Sequence, residues 1–261
     1  MNETNPLSAA MRHRLAWPLI TLALLLVVNT VFNDSFLHIE WRDGHLYGSL
    51  IDILNRAAPL VLVSLGMTMV IATRGIDISV GAVVAIAAAV AASLIGGKLV
   101  IVDGQQIHAP SVAMPLALLA ALAAAALCGL FNGVLVASVG IQPIIATLIL
   151  MVAGRGIAQL ITGGQIITIY HPPYFFIGAG HLLGLPFALW LVAALLALMA
   201  WLKHRTALGL FIQASGGNPA AARLSGINAR GLLIAVYAFC GLTAGIAGLM
   251  NICAHEGKAH G

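Results

Sequence analysis

Six stretches of this chain, each of 17 residues or more, contain no Asp, Glu, Lys or Arg, and a seventh contains a single arginine. They fall at about 15–33, 57–73, 80–96, 112–138, 144–162, 185–202 and 231–250. Runs of this length match the roughly 20 residues that an α-helix needs to cross a bilayer. They are continuous apolar blocks, not the alternating pattern of an outer-membrane barrel strand. Charge is too scarce for a soluble fold: 12 basic and 8 acidic residues in 261, with a mean hydropathy of +1.03, against about a quarter charged in an average soluble domain. The expected fold is all-α, a polytopic transmembrane helical bundle of about seven spans. The fourth run is long enough to tilt or to project beyond the bilayer.

Arg12 and Arg14 precede the first run, which exceeds the ~7–15 apolar residues of a signal peptide, and NTVFNDSF offers no small-x-small cleavage site. It reads as a retained signal-anchor. With the N-terminus cytoplasmic and all runs crossing, Arg12, Arg14, Arg74, Lys203, Arg205, Arg223 and Arg230 lie inside. Arg42, Arg56 and Lys98 lie outside, besides a terminal Lys258. That is the bias of the positive-inside rule, and the opposite orientation fits worse. The expected organisation is a cytoplasmic tail at 1–14, a membrane domain at 15–250 with a long inside loop at 203–230, and an atypical polar tail at 251–261.

Small residues recur every fourth position. Gly81, Ala85, Ala89, Ser93 and Gly97 form one row, Ala117, Ala121, Ala125, Gly129, Gly133 and Ala137 another, and Gly241 and Gly245 repeat the spacing. Such rows let helix backbones approach closely where lipid gives no hydrophobic reason to associate.

Chemistry is hard to find. The nine histidines lie in loops or tails, and there is no HExxH. Cys128, Cys240 and Cys253 are too scattered for a disulfide framework or metal site. Ser64 and Ser93 have no in-span base, and GGK at 96–98 lacks the rest of a P-loop. No catalytic residue, metal ligand or cofactor of the chain's own is expected. Arg155 alone lies within a span, where it pairs with an outer loop or headgroup or snorkels to an interface. No chain of acids is present to relay protons.

Two polar stretches remain. In RGIDISVGA at 74–82, Gly75, Asp77, Ser79 and Gly81 resemble a helix start, with Asp77 or Ser79 accepting backbone N–H groups. The stretch is either a capped connector or broken helix at membrane depth, buried in protein or lining a path. In HRTALGLFIQASGGNPAAARLSGINARG at 204–231, Asn218 is a candidate cap, Pro219 suits a first helical turn, and Gly226 suits a stop. The expected short helix carries one charge, Arg223, which suggests a docking element.

Three passages together are similar to one family: SLIDILNRAAPLVLVSLGMTMVIATRGIDISVGAVVAIAAA at 49–89, IQPIIATLILMVAGRGIAQLITGGQ at 141–165, and TALGLFIQASGGNPAAARLSGIN at 206–228. The chain resembles the inner-membrane permease subunits of bacterial ABC sugar importers of the ribose/galactose/xylose type, from Ala16 to about Met250. DILNRAAP and TLILMVAGRG lean toward the galactofuranose members. The resemblance implies passage of a monosaccharide such as galactofuranose or ribose. It implies a second permease copy, identical or related, a periplasmic sugar-binding protein, and an ABC ATPase subunit that binds the ATP. Lipid surrounds the chain, and no nucleic acid is involved. Carried over residue by residue, the family's coupling loop falls on Gln213, Ala214, Gly216, Asn218, Ala221, Ala222 and Gly226. Gln213 stands where some members have glutamate, and Arg74 where glycine is common. Members usually run to about ten spans, so the ending NICAHEGKAHG reads as a truncated or frameshifted C-terminus. The other readings are a stand-alone channel or secondary carrier, a non-functional truncated permease and, least supported, a membrane-embedded enzyme.

Overall fold

The computed structural model describes residues 16–33, 36–42, 44–96, 98–102, 105–109, 112–165, 167, 169 and 172–254. The expected tail at 1–14, and that at 251–261 beyond Ala254, lie outside them. The helices are α1 (Ala16–Phe32), α2 (Ser49–Ala72), α3 (Val80–Ile95), α4 (Met114–Val134), α5 (Pro143–Thr162), α6 (Pro172–Ala179), α7 (Phe187–Arg205), α8 (Ala207–Gly217), α9 (Pro219–Leu224) and α10 (Ala229–Ala254). Antiparallel hairpins pair β1 (Glu40–Arg42) with β2 (His45–Tyr47), β3 (Lys98–Val102) with β4 (Gln105–Ala109), and β5 (His181–Leu182) with β6 (Leu185–Pro186).

Five helices, α2, α4 with its extension to Val139, α5, α7 and α10, are long and apolar enough to cross a membrane. The apolar helices α1 and α3 have 17 and 16 residues. At 1.5 Å per residue they measure about 25 Å, close to the ~30 Å hydrocarbon core. The protein is a helical multi-pass membrane protein.

Three boundaries differ from expectation. α2 starts eight residues early, at Ser49, because Asp52, Asn55 and Arg56 interrupt the apolar run without interrupting the helix; an acid in a first turn suits the positive helix end. The long fourth run is α-helical only to Val134. A π-helical turn, Leu135–Val139, then ends at Gly140, whose φ is 82°. The loop expected at 203–230 is shorter, since α7 runs to Arg205 and α10 begins at Ala229.

The chain divides into two compact units, 1–54 and 55–261. In the first, α1 buries none of its residues, while Phe36 is buried. In the second, α10 is the most enclosed long helix: 61% of its apolar window is buried against 6% for α7. Glycines explain why. A Cβ on Gly129 would strike the Tyr237 carbonyl oxygen, and one on Gly241 the Ala125 carbonyl oxygen. The expected row on α4 is therefore a real seam against α10, with Ala117, Ala121 and Ala125 at 0% exposure. Gly66 of α2 meets Thr243 and Cys240, and Gly248 meets Val84 and Ala87 of α3. Close backbone approach replaces the hydrophobic drive that lipid removes.

The row expected on α3 holds in part. Gly81 faces open space, but Ala89 is buried with Ile86 and Ala158 of α5, and Ala85 packs on that cluster. Ala82 and Ile86 beside the row lie on Gly154 of α5. α3 is apolar all round, so its sequence marks the packed side only in part, and glycines on the partner helices set the rest.

Candidate functional site

The polar residues of 73–79 gather at one end of the second unit. α2 closes with Gly75 N–H donating to the Val70 carbonyl at 2.9 Å and Arg74 N–H to Ile71 at 2.9 Å. Arg74 takes a left-handed φ of 63° to make this reversal. A Cβ on Gly75 would lie 2.8 Å from the Tyr237 hydroxyl and from Val70 Cγ1.

Asp77 then turns inward and is 2% exposed. Its Oδ1 accepts from Ser79 N–H at 2.9 Å and from the Ser79 hydroxyl at 2.6 Å, and the Cys240 thiol also donates to it. Of the two expected caps, Asp77 accepts the backbone N–H; Ser79 occupies the N-cap position but makes no side-chain cap bond. The Ser79 hydroxyl accepts from Asn132 Nδ2 at 2.8 Å. Ile78 N–H donates to Thr147 Oγ1 at 3.2 Å, and the Tyr237 hydroxyl donates to the Ile76 carbonyl at 3.3 Å. One connector is thereby tied to α4, α5 and α10.

Ser79, Asn132, Thr147 and Tyr237 are essentially fully buried, and Asn132 Oδ1 has no hydrogen-bond partner among the described residues. Asp77 forms no ion pair among the described residues; neutral donors and the N-terminal end of α3 meet its charge. Burial pushes its carboxyl up from the ordinary range, and the hydrogen bonds from Ser79 and Cys240 oppose that shift. Asn132, Thr147 and Tyr237 were not singled out from sequence, and Cys240 was named only as one of three scattered cysteines. Polar groups inside otherwise apolar spans were the available signal, since in lipid they seek partners on neighbouring helices.

The second stretch lies beside the first. Asn218 Oδ1 accepts from Ala220 N–H and Ala221 N–H, each at 3.1 Å, and Pro219 opens α9. Gly226, at φ 79°, follows its end. Arg74 Nη2 donates to the Gly217 carbonyl at 2.6 Å. Gly216 sits so close to Ala72 that a Cβ would collide with its carbonyl oxygen. The residues assigned by resemblance to the coupling loop therefore divide. Gln213, Asn218, Ala221 and Gly226 are exposed, Ala214 and Gly216 are half-buried, and Ala222 is buried against the protein itself. Leu224, which sequence reasoning passed over, is 90% exposed. It lies two residues, about 200° of helical rotation, from the buried Ala222.

Arg155 is exposed on α5. Among the described residues no cluster of His, Cys, Asp and Glu is arranged to hold a metal, and Cys128 and Cys240 are free thiols.

A multi-pass helical bundle with a buried polar connector, and a capped, charge-poor helix outside it, has the build of a membrane permease. A protein-family profile described as "Branched-chain amino acid transport system / permease component" matches residues 49–259. The chain is 45% identical over 256 residues to the galactofuranose transporter permease protein YtfT of Escherichia coli K12, covering 96% of this chain and 71% of that protein. It is 36% identical over 241 residues to the fructose import permease protein FruF of Bifidobacterium longum, covering 90% and 64%. It is 35% identical over 238 residues to the ribose import permease protein RbsC of E. coli K12, covering 90% and 68%. The chain thus spans about two thirds of the length of these relatives. No solved structure matches. The chain belongs to this permease family.

Proposed function

We propose that this chain is the non-catalytic, membrane-spanning subunit of an ATP-driven importer that passes a monosaccharide, of the kind represented by galactofuranose or ribose, across a bacterial inner membrane. Its N-terminus lies in the cytoplasm. A separate ABC ATPase binds and hydrolyses the ATP, a periplasmic binding protein delivers the sugar, and a second permease copy completes the path. The chain itself carries no cofactor.

The observation that carries this reading is α9. It is short, capped by Asn218, and presents Pro219, Ala220, Ala221 and Leu224 to solvent with Arg223 as its one charge. An exposed apolar surface on a loop marks a place where another protein docks. The bias of basic residues toward the inside segments supports a cytosolic α9, on the side where an ATPase is found.

The test is co-purification of the ATPase with the permease. Ala221→Asp and Leu224→Asp place a charge on the exposed face and are expected to reduce recovery of the ATPase about tenfold or more, the scale of an interface hot spot. Unchanged recovery in both contradicts the reading. Gly216→Asp is a poor probe, because it collides with Ala72 inside the permease.

A further inference from the structure

The 73–79 connector and the turn that leads into α9 are joined at two adjacent points. The Arg74 guanidinium holds the Gly217 carbonyl at 2.6 Å, and one residue earlier Gly216 rests on the Ala72 carbonyl at the end of α2. Behind them Ile212 of α8 is buried in one cluster with Val70, Leu232 and Tyr237. The backbone at Arg74 lies in the left-handed region, which a side chain with a Cβ disfavours. The residue there is nonetheless the one whose side chain spans the gap.

On the other side of the connector, contacts fan out within five residues. Ile76 accepts from Tyr237 of α10, Ile78 donates to Thr147 of α5, and the chain from Asp77 through Ser79 reaches Asn132 of α4. Asn132 and Thr147 both lie near the ends of their helices, next to the π-helical turn at Leu135–Val139 and the 140–142 loop. The covalent link 225–228 takes α9 to α10. The Arg74 bridge adds a route from α9 to α3, α4 and α5.

We propose that Arg74 is a positioning residue that latches the connector to the turn before α9, so that a displacement of α9 reaches the buried Asp77–Ser79–Asn132 chain and the helices it ties. This rests on the importer reading, in which α9 is the element the ATPase moves. The latch has two parts with separable roles. The Gly216–Ala72 contact keeps the two segments at a fixed distance, and the guanidinium resists their sliding apart. A flexible side chain alone would not transmit motion; the left-handed turn at Arg74, packed on Val70 and Tyr237 through Gly75, gives it a fixed base.

Two substitutions separate the bridge from the strained backbone. Arg74→Gly suits the left-handed turn and removes the guanidinium. Arg74→Lys keeps a cationic donor at the same backbone cost. In proteoliposomes holding the complete importer, both variants are expected to retain the ATPase. Sugar taken up per ATP hydrolysed is expected to fall about fivefold in Arg74→Gly, the scale of one net hydrogen bond, and less in Arg74→Lys. A merely structural defect would lower uptake and hydrolysis together and leave the ratio alone. Hydrogen exchange on the complete permease gives a second readout that needs no transport. The Ile78 amide and the Ala220 and Ala221 amides are expected to exchange faster in Arg74→Gly, by a similar factor at both places. An unchanged uptake-to-hydrolysis ratio, or exchange that rises on one side of the bridge only, overturns the latch and leaves the importer reading standing. A parent complex without ATP-dependent uptake overturns the importer reading and the latch with it.

Discussion

The connector at 73–79 and the turn-helix at 217–226 are made of the same parts and face opposite surroundings. Each uses an Asx side chain to accept backbone N–H at a helix start: Asp77 from Ser79, the residue just before α3, and Asn218 from Ala220 and Ala221 within α9. Each has a residue at positive φ beside it, Arg74 in one and Gly226 in the other. Asp77 is 2% exposed, and its carboxylate is met by donors on its own turn and on α10. Asn218 is exposed, and its amide serves only the helix it caps. Local chemistry starts a helix in both places, but burial decides what else the cap must do. In the connector the cap has become the centre of a network holding three helices. In the loop it leaves α9 free to present a surface.

The largest effect is expected where the cap is buried. Asp77→Ala leaves the Ser79 amide and hydroxyl and the Cys240 thiol without their acceptor, and should lower unfolding free energy in detergent by about 2–4 kcal/mol. The matched change Asp77→Asn keeps an acceptor and removes the charge, and should cost much less. It also tests the carboxyl's raised pKa. The ordinary value is 3.8 and the folded value lies above it. The folded state therefore binds the proton more tightly, and the parent loses stability as pH rises through the folded value. Asp77→Asn lacks that loss, so its stability relative to the parent should increase with pH above 3.8. A flat difference would show that burial of Asp77 carries no electrostatic cost.

A smaller, local effect is expected where the cap is exposed. Asn218→Ala should cost α9 about 1 kcal/mol, visible as faster exchange at Ala220 and Ala221. The unfolding midpoint of the whole protein should not move, because α9 contributes only Ala222 to the buried interior. A fall as large as that of Asp77→Ala would erase the distinction between the two caps.

The sequence carried much of this, for physical reasons that can be named. Long uncharged runs placed the spans within a few residues, the start of α2 apart, since a helix that meets lipid must be apolar along most of its surface. Asn218, Pro219 and Gly226 announced α9 because capping is a short-range matter of backbone donors and φ. The face of α3 was legible only in part: its side chains are apolar in every direction, so the row of small residues caught the packed Ala85 and Ala89 but also the open Gly81, and Gly154 and Gly248 on other helices complete the choice. The start of α2 was missed because Asp52, Asn55 and Arg56 read as loop in a hydropathy window, although they sit comfortably in a helix. Asn132 and Thr147 become visible only when long-range packing brings Ser79 and Ile78 to them. In the connector the short-range signal of a helix start and the long-range fact of burial meet at Asp77, which accepts the Ser79 N–H and is 2% exposed.

The central claim is that α9 is a cytosolic docking element, and the most direct measurement is labelling of a single cysteine placed at Leu224 in an otherwise cysteine-free permease. A membrane-impermeant maleimide is predicted to react in inside-out vesicles and not in right-side-out ones, with reaction suppressed when the ATPase is added. Reaction from the periplasmic side, or labelling that the ATPase leaves untouched, would contradict the account.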